Sequence, residues 1–372
     1  MSHTFITPSE IISGNGSFAM LAEKAKEYGK SALLVTGQKA IKAAGFTDKA
    51  LEMLKEAGLH ATLFDKVRPE PTVQNVNDGR LVLKNNECDL VVGLGGGSAI
   101  DAAKAIAGLA NEEKPTQDYH TGQVKPSIAG VPFIAVATTA GTGAEVTPNS
   151  VLTDPNLEVK QSLRGPTFLP NVAIADAELT IPCSPQLTAI AGMDALVQAI
   201  ESYISVHSTP LTESLSLQAT SLLLRSLERA VKDGRNIAAR NDCMYGSLMA
   251  GIALCNARLG AVHGLAHPLA VRYNIPHGLT CAVLLPAVLR MNQAHSPGKF
   301  ETLGNIAGRT IIDAVEEIMD AINMPRNFAA YSLDPKDFPD IAEKSLPSGS
   351  TKANPKKMTM DDFVSLLEDV AG

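Results

Sequence analysis

Short runs of β-branched and aliphatic residues alternate with amphipathic helical stretches through the first half of the chain. Residues 31–36 form an apolar run that ends at Gly37, as a strand buried on both faces should. Residues 47–57 read as a helix stopped by Gly58, 60–65 as a second strand, and 72–85 as a helix started by Thr72 after Pro71. Residues 89–94 and 131–137 supply the third and fourth strands. This β–α–β alternation predicts an open, mainly parallel sheet with helices on both faces. After about Ile181 the strand-like runs stop, and helical patterns occupy 185–205, 211–233, 237–256, 279–293 and 310–322. An α/β domain over 1–181 followed by an all-α domain over 182–372 is therefore predicted. Residues 331–358, with several Pro, Ser and Gly, read as long surface loops before a last helix near 360–370.

Composition changes this picture little. A chain of 372 residues is too long for one ordinary core, which agrees with two domains. At 45% hydrophobic and 19% charged, it has the make-up of a soluble globular protein. The net charge of −7 argues against nucleic acid as the main partner, because backbone phosphate calls for a basic surface. The five cysteines, Cys88, Cys183, Cys243, Cys255 and Cys281, are scattered without a CxxC pair, so reduced thiols and a cytoplasmic location are expected. The N-terminus lacks a basic stretch followed by an apolar one, and no apolar run reaches membrane-spanning length.

Two segments in the first half carry candidate chemistry. Residues 89–104 read as strand, glycine turn and helix, with Gly95-Gly96-Gly97-Ser98 at the turn. Consecutive glycines let backbone approach a pyrophosphate, and a helix start directs N–H groups and a positive dipole end toward it. The motif is neither GxGxxG nor a P-loop. A second loop, Thr138-Thr139-Ala140-Gly141-Thr142-Gly143, follows the next strand. Two such loops at the carboxyl ends of neighbouring strands predict a nucleotide across a sheet crevice.

The second half carries a different chemistry. Asp194 and Gln198 are one helical turn apart, as are His263 and His267, and His277 follows Pro276. A carboxylate with imidazoles on helices suits a mononuclear divalent metal site, whereas a neutral amide is its weakest member. A lone histidine is more often a satisfied polar group, and His3, His60, His207 and His295 are read that way.

Taken in order, these motifs resemble the iron-containing (group III) alcohol dehydrogenase family, within the dehydroquinate synthase-like and glycerol dehydrogenase-like folds. The resemblance rests on Gly95-Gly96-Gly97-Ser98 with Asp101 and Lys104, the Thr138–Gly143 loop, Gly192-Met193-Asp194-Ala195-Leu196, His263 to His267 and Pro276-His277-Gly278. Asn354-Pro355-Lys356 is similar to the family's C-terminal Asn-Pro-Arg. It implies an N-terminal Rossmann-like domain, a helical C-terminal domain, and an active site in the cleft between them. It implies hydride transfer between NAD or NADP and a small alcohol or aldehyde, with Fe²⁺ as the family's metal and Zn²⁺ as the alternative. By position, the implied metal ligands are Asp194, Gln198, His263 and His277, with His267 on the substrate side as proton relay. Gly96, Gly97, Ser98, Thr138, Thr139, Thr142, Lys160 and Leu179 match cofactor-contacting positions. A homodimer or larger homo-oligomer is also implied.

Two positions depart from the family pattern. Gln198 stands where the family has His. After the first strand, Val35-Thr36-Gly37-Gln38 lacks the Asp that NAD-preferring members use against a 2′-phosphate, which leaves NADP open. Other readings compatible with the motifs are a maleylacetate reductase- or glycerol dehydrogenase-like oxidoreductase, and a nucleotide-binding sensor without catalysis. Dehydroquinate synthase chemistry would need more paired Lys and Arg near the histidines. With no Trp, the substrate pocket is expected to be aliphatic, near Val151, Leu259 and Asn149.

Overall fold

The computed structural model describes residues 3–157 and 159–372; Met1, Ser2 and Glu158 lie outside the description. The chain divides into two compact units. One comprises Thr7–Thr139 and Gly143–Pro182; the other comprises Cys183–Gly372 with Ala140–Thr142 and the stretch up to Ile6.

Among the described residues, the first unit carries eight strands: β1 (Glu10–Ser13), β2 (Ser31–Gly37), β3 (His60–Val67), β4 (Leu90–Gly95), β5 (Phe133–Ala137), β6 (Asn149–Asp154), β7 (Val159–Arg164) and β8 (Val172–Ala175). Six of them form one parallel sheet in the order β1-β8-β5-β4-β2-β3, while β6 and β7 form a separate antiparallel pair. Strand alternation builds two cores, as a sheet covered on both faces requires. Leu33, Val35 and Val91 join one apolar cluster, and Leu34, Leu90, Val92 and Leu94 join another. The four strands expected from the apolar runs are β2 to β5. β1 and β8, at four residues each, are too short to stand out by periodicity.

The second unit is helical. Ser184 caps the Pro185–Ile204 helix by accepting from Leu187 N, and Pro185 occupies its first turn, where no backbone donor is needed. Thr209 and Thr212 form a capping box on Pro210–Lys232. These two helices pack with Ile237–Ala257, and Pro185–Ile204 also packs on His277–Asn292. The Ala261–Tyr273 helix, which contains Gly264 and Pro268, was not among the helical stretches expected from pattern. Residues 331–358 are also more ordered than expected. They hold a helix, Phe338–Ser345, whose Phe338, Ile341 and Ala342 are buried in the helical core. Its apolar positions at i, i+3 and i+4 are anchored by tertiary contacts that outweigh the nearby Pro and Gly. Among the described residues, no single helix is long and apolar enough to cross a membrane.

Lys104 is fully buried in the first unit, donating to Ala144 O at 2.7 Å, Asn149 O at 2.7 Å and Thr147 Oγ1 at 3.2 Å. Glu145 is buried beside this network with Oε1 unpartnered. Burial pushes its carboxyl up to about 7, against the pull of its own backbone N–H and of Lys104. A carboxyl raised in the folded state destabilises the fold as pH climbs from its unfolded value toward 7, since the unfolded chain ionises first. Glu145→Gln should remove most of that loss, roughly 3 kcal/mol at pH 8 and little at pH 4.5. Urea denaturation at the two pH values measures it; an equal change at both would contradict the assignment.

Candidate metal centre and nucleotide loops

Three helices of the second unit each present a pair of polar groups one turn apart. Asp194 and Gln198 lie on Pro185–Ile204, His263 and His267 on Ala261–Tyr273, and His277 and Cys281 on His277–Asn292. The close packing that brings them together depends on small residues. A Cβ on Gly278 would stand 2.5 Å from Ile190 O, so glycine lets the helix carrying His277 approach the one carrying Asp194.

At the centre, His263 Nε2 lies 3.4 Å from Asp194 Oδ1 and His277 Nε2 lies 3.8 Å from the same oxygen. Asp194, Gln198 and His263 are buried. Asp194 Oδ1, Gln198 Oε1, His263 Nε2 and His277 Nδ1 have no hydrogen-bond partner of acceptable geometry. Buried polar atoms are ordinarily paired, so Asp194 Oδ1 and His263 Nε2, facing each other unsatisfied, fit a cation held between them. Gln198 Nε2 donates to Asp194 Oδ2 at 3.0 Å and so holds the carboxylate's second oxygen. The His267 ring stacks on His277 with centroids 4.9 Å apart.

Two residues of this cluster do not stand out in the sequence. Cys281 was counted only as a scattered thiol, although it follows His277 by one turn and its Sγ lies 3.6 Å from His277 Nε2. Glu201 is 1% exposed and accepts from Val262 N and pairs with His263 Nδ1, each at 2.7 Å. A carboxylate on the far nitrogen of an imidazole fixes the tautomer that offers Nε2 to a metal. The i+7 spacing of Glu201 from Asp194 was the available signal. Glu201 and Asn354 also complete the start of the Ala261–Tyr273 helix, because Asn354 Oδ1 accepts from Ala261 N at 3.1 Å. Asn354 is held in turn by Asn292, each amide donating to the other at 2.8 Å. The C-terminal Asn-Pro-Lys segment thus anchors the helix that carries His263.

Burial alone would raise the Asp194 carboxyl, but the His263 and His277 imidazoles hold it below the usual carboxylate range. Burial would likewise lower His263, yet Cys281, Asp194 and Glu201 raise it well above an ordinary histidine. Such a cluster binds a proton where an ion is absent, and ion binding must release it.

In the first unit, Gly96 caps the Gly97–Gly108 helix without any side-chain cap. Thr138 N donates to Gly95 O at 3.0 Å, and a Cβ on Gly96 would stand 3.3 Å from Thr139, so the two predicted loops adjoin. Ser98 Oγ accepts from Glu70 N at 3.3 Å, and Lys160 Nζ lies 2.6 Å from Glu70 Oε1. Glu70 therefore links two of the predicted cofactor residues. Leu179 is buried in an apolar cluster with Leu34 and Val92. Thr142 falls in the helical unit rather than with Thr138 and Thr139.

Residues 8–177 match the family described as iron-containing alcohol dehydrogenase, and 188–371 match the C-terminal part of the same family. The chain belongs to the iron-containing alcohol dehydrogenase family. It is 40% identical to 1,3-propanediol dehydrogenase of Klebsiella pneumoniae, covering 98% of this chain and 97% of that one. It is 33% identical to the NADPH-dependent butanol dehydrogenase of Clostridium saccharobutylicum, covering 98% and 97%. A crystal structure of 1,3-propanediol oxidoreductase superposes with a TM-score of 0.95 at 36% identity, covering all of both chains. As a member of this family the chain is an oxidoreductase, and membership implies a nicotinamide cofactor and a divalent metal.

Proposed function

We propose that this iron-containing alcohol dehydrogenase interconverts a small aliphatic or hydroxylated alcohol and its aldehyde, using NAD or NADP. The observation that carries the reading is the convergence of Asp194 Oδ1 with the Nε2 atoms of His263 and His277, the first two buried and without a hydrogen-bond partner. These three residues would hold the ion, with Gln198, the fourth donor of the sequence reading, beside Asp194. When bound, a divalent ion supplies Lewis acidity toward the substrate oxygen. The bond to Glu201 supports an Nε2-offering tautomer of His263, and the stacking of His267 on His277 supports a proton-carrying role for His267. Gly96, Gly97, Ser98, Thr138, Thr139, Thr142, Lys160 and Leu179 are assigned to the cofactor. The relatives' names, which span propanediol and butanol, support a short substrate. All five cysteines are free, which suits a reducing cytoplasm, and a homodimer or larger homo-oligomer belongs to the same proposal.

The test is NAD(P)H oxidation with a panel of short aldehydes, before and after exhaustive chelation. Activity should disappear with the ion and return when Fe²⁺ or Zn²⁺ is restored. Undiminished turnover by metal-free protein would sink the reading; cofactor binding without turnover of any aldehyde would favour a sensor.

Gly37 ends β2 and bears on cofactor choice. A Cβ there would meet nothing within 4 Å, so Asp fits without displacing a neighbour. Gly37→Asp should cut kcat/KM for NADPH relative to NADH by more than about tenfold, through repulsion of the 2′-phosphate and hydrogen bonding to ribose hydroxyls. The ratio of the two values, measured with one aldehyde, decides it.

A further inference from the structure

We infer that Cys281 Sγ is a fourth protein donor to the divalent ion, giving one oxygen, two nitrogens and one sulfur, a set that favours an ion of the zinc class over iron. The inference rests on the metal-dependent reading above and deepens it.

The distances support it first. His263 Nε2 to Asp194 Oδ1 is 3.4 Å, His277 Nε2 to Asp194 Oδ1 is 3.8 Å, and Cys281 Sγ to His277 Nε2 is 3.6 Å. The donor atoms of Asp194, His263, His277 and Cys281 all lie within 4.8 Å of one another. Bond lengths of about 2.0–2.3 Å in a tetrahedral zinc site place donors about 3.3–3.6 Å apart. Three of the edges already stand near that spacing.

Two independent features point the same way. Asp194 Oδ1 and His263 Nε2 belong to side chains 4% and 3% exposed, and neither has a hydrogen-bond partner. Gln198 donates from Nε2 to Asp194 Oδ2 and so braces the carboxylate; its Oε1 is also unpartnered, but a neutral amide oxygen is a weaker donor than the thiol of Cys281. Charge and softness add to this. One carboxylate and one thiolate neutralise a dication, which a carboxylate with a neutral amide does not. Thiolate is a soft donor and shifts preference toward zinc, whereas oxygen-rich sets suit harder ions. Zinc sites can expand to five ligands, so four protein donors do not bar a substrate.

The full-length protein, stripped of metal, should be titrated with Co²⁺ and followed by absorption. A sulfur-to-cobalt charge-transfer band in the near ultraviolet is expected for the unmodified chain. It should vanish in Cys281→Ser and persist in Gln198→Ala. In competition with a chelator, the zinc-to-iron retention ratio should fall more than about tenfold in Cys281→Ser, the lower range of what outer ligand partners alone contribute. Bound cobalt with visible bands but no charge-transfer band would overturn the role of Cys281 and leave the metal-dependent reading standing. So would a band that survives in Cys281→Ser. Failure to bind Co²⁺ at all would overturn both. The spectrum of the unmodified chain needs no variant to fold, and circular dichroism checks the variants.

Discussion

His263→Ala is expected to release the divalent ion and to lower kcat/KM at least about 10³-fold, or roughly 4 kcal/mol of transition-state stabilisation. The size follows from position. His263 is buried, its Nε2 faces Asp194 Oδ1 at 3.4 Å, and its Nδ1 is fixed by Glu201 at 2.7 Å. The groups on either side are themselves fixed, Glu201 by Val262 N and Asp194 by Gln198. Truncation also leaves the Glu201 carboxylate short of a partner, so some loss of stability should accompany the loss of metal. His277→Ala supplies the comparison with less packing cost, since that side chain is 26% exposed. Metal content by elemental analysis and kcat/KM should be read on the same preparation. A His263→Ala protein that kept both would rule out the ligand set.

Glu201→Gln should be nearly as damaging although it changes one atom. The amide oxygen can still accept from Val262 N, but its NH₂ then faces His263 Nδ1. That nitrogen must become an acceptor, which moves the imidazole proton to Nε2. The nitrogen meant for the ion then carries a hydrogen directed at Asp194. Loss of about 100-fold in metal affinity is expected, at the upper end of what removing a ligand's outer partner costs. Folding should change far less, because the shape and the Val262 bond survive. Metal affinity against a competing chelator, read beside thermal unfolding of the metal-free protein, separates the two. An affinity within about twofold of the parent would show that Glu201 serves only the helix terminus.

The two predictions differ in how visible their residues were beforehand. His263 stood out because two imidazoles recur one turn apart and a third follows a proline. Glu201 shares a helix face with Asp194 by its i+7 spacing, but that spacing alone does not identify it as the partner of a histidine on another helix. Cys281 was hidden for the same reason. Its spacing from His277 is legible, but a thiol one turn from a histidine is unremarkable until a carboxylate from another helix faces both. Asn354 carried a resemblance without a reason; the reason is its bond to Ala261 N and its pairing with Asn292.

Local pattern determined a good deal by itself. Apolar runs ending in glycine announced β2 to β5, helical periodicity announced the long helices after Ile181, and the glycine and threonine loops announced a nucleotide. These are short-range properties, set by backbone sterics and by burial of one face at a time. Tertiary structure decided which short segments complete the sheet, as with β1 and β8, and made a helix of Phe338–Ser345 amid Pro and Gly. It also decided which polar pairs meet. Asp194, His263, His277 and Cys281 come from three helices, and their approach depends on contacts such as Gly278 against Ile190 O that no single segment encodes. Helical spacing can say which side chains share a face. Only the packing of three faces around one point could bring their donor atoms together.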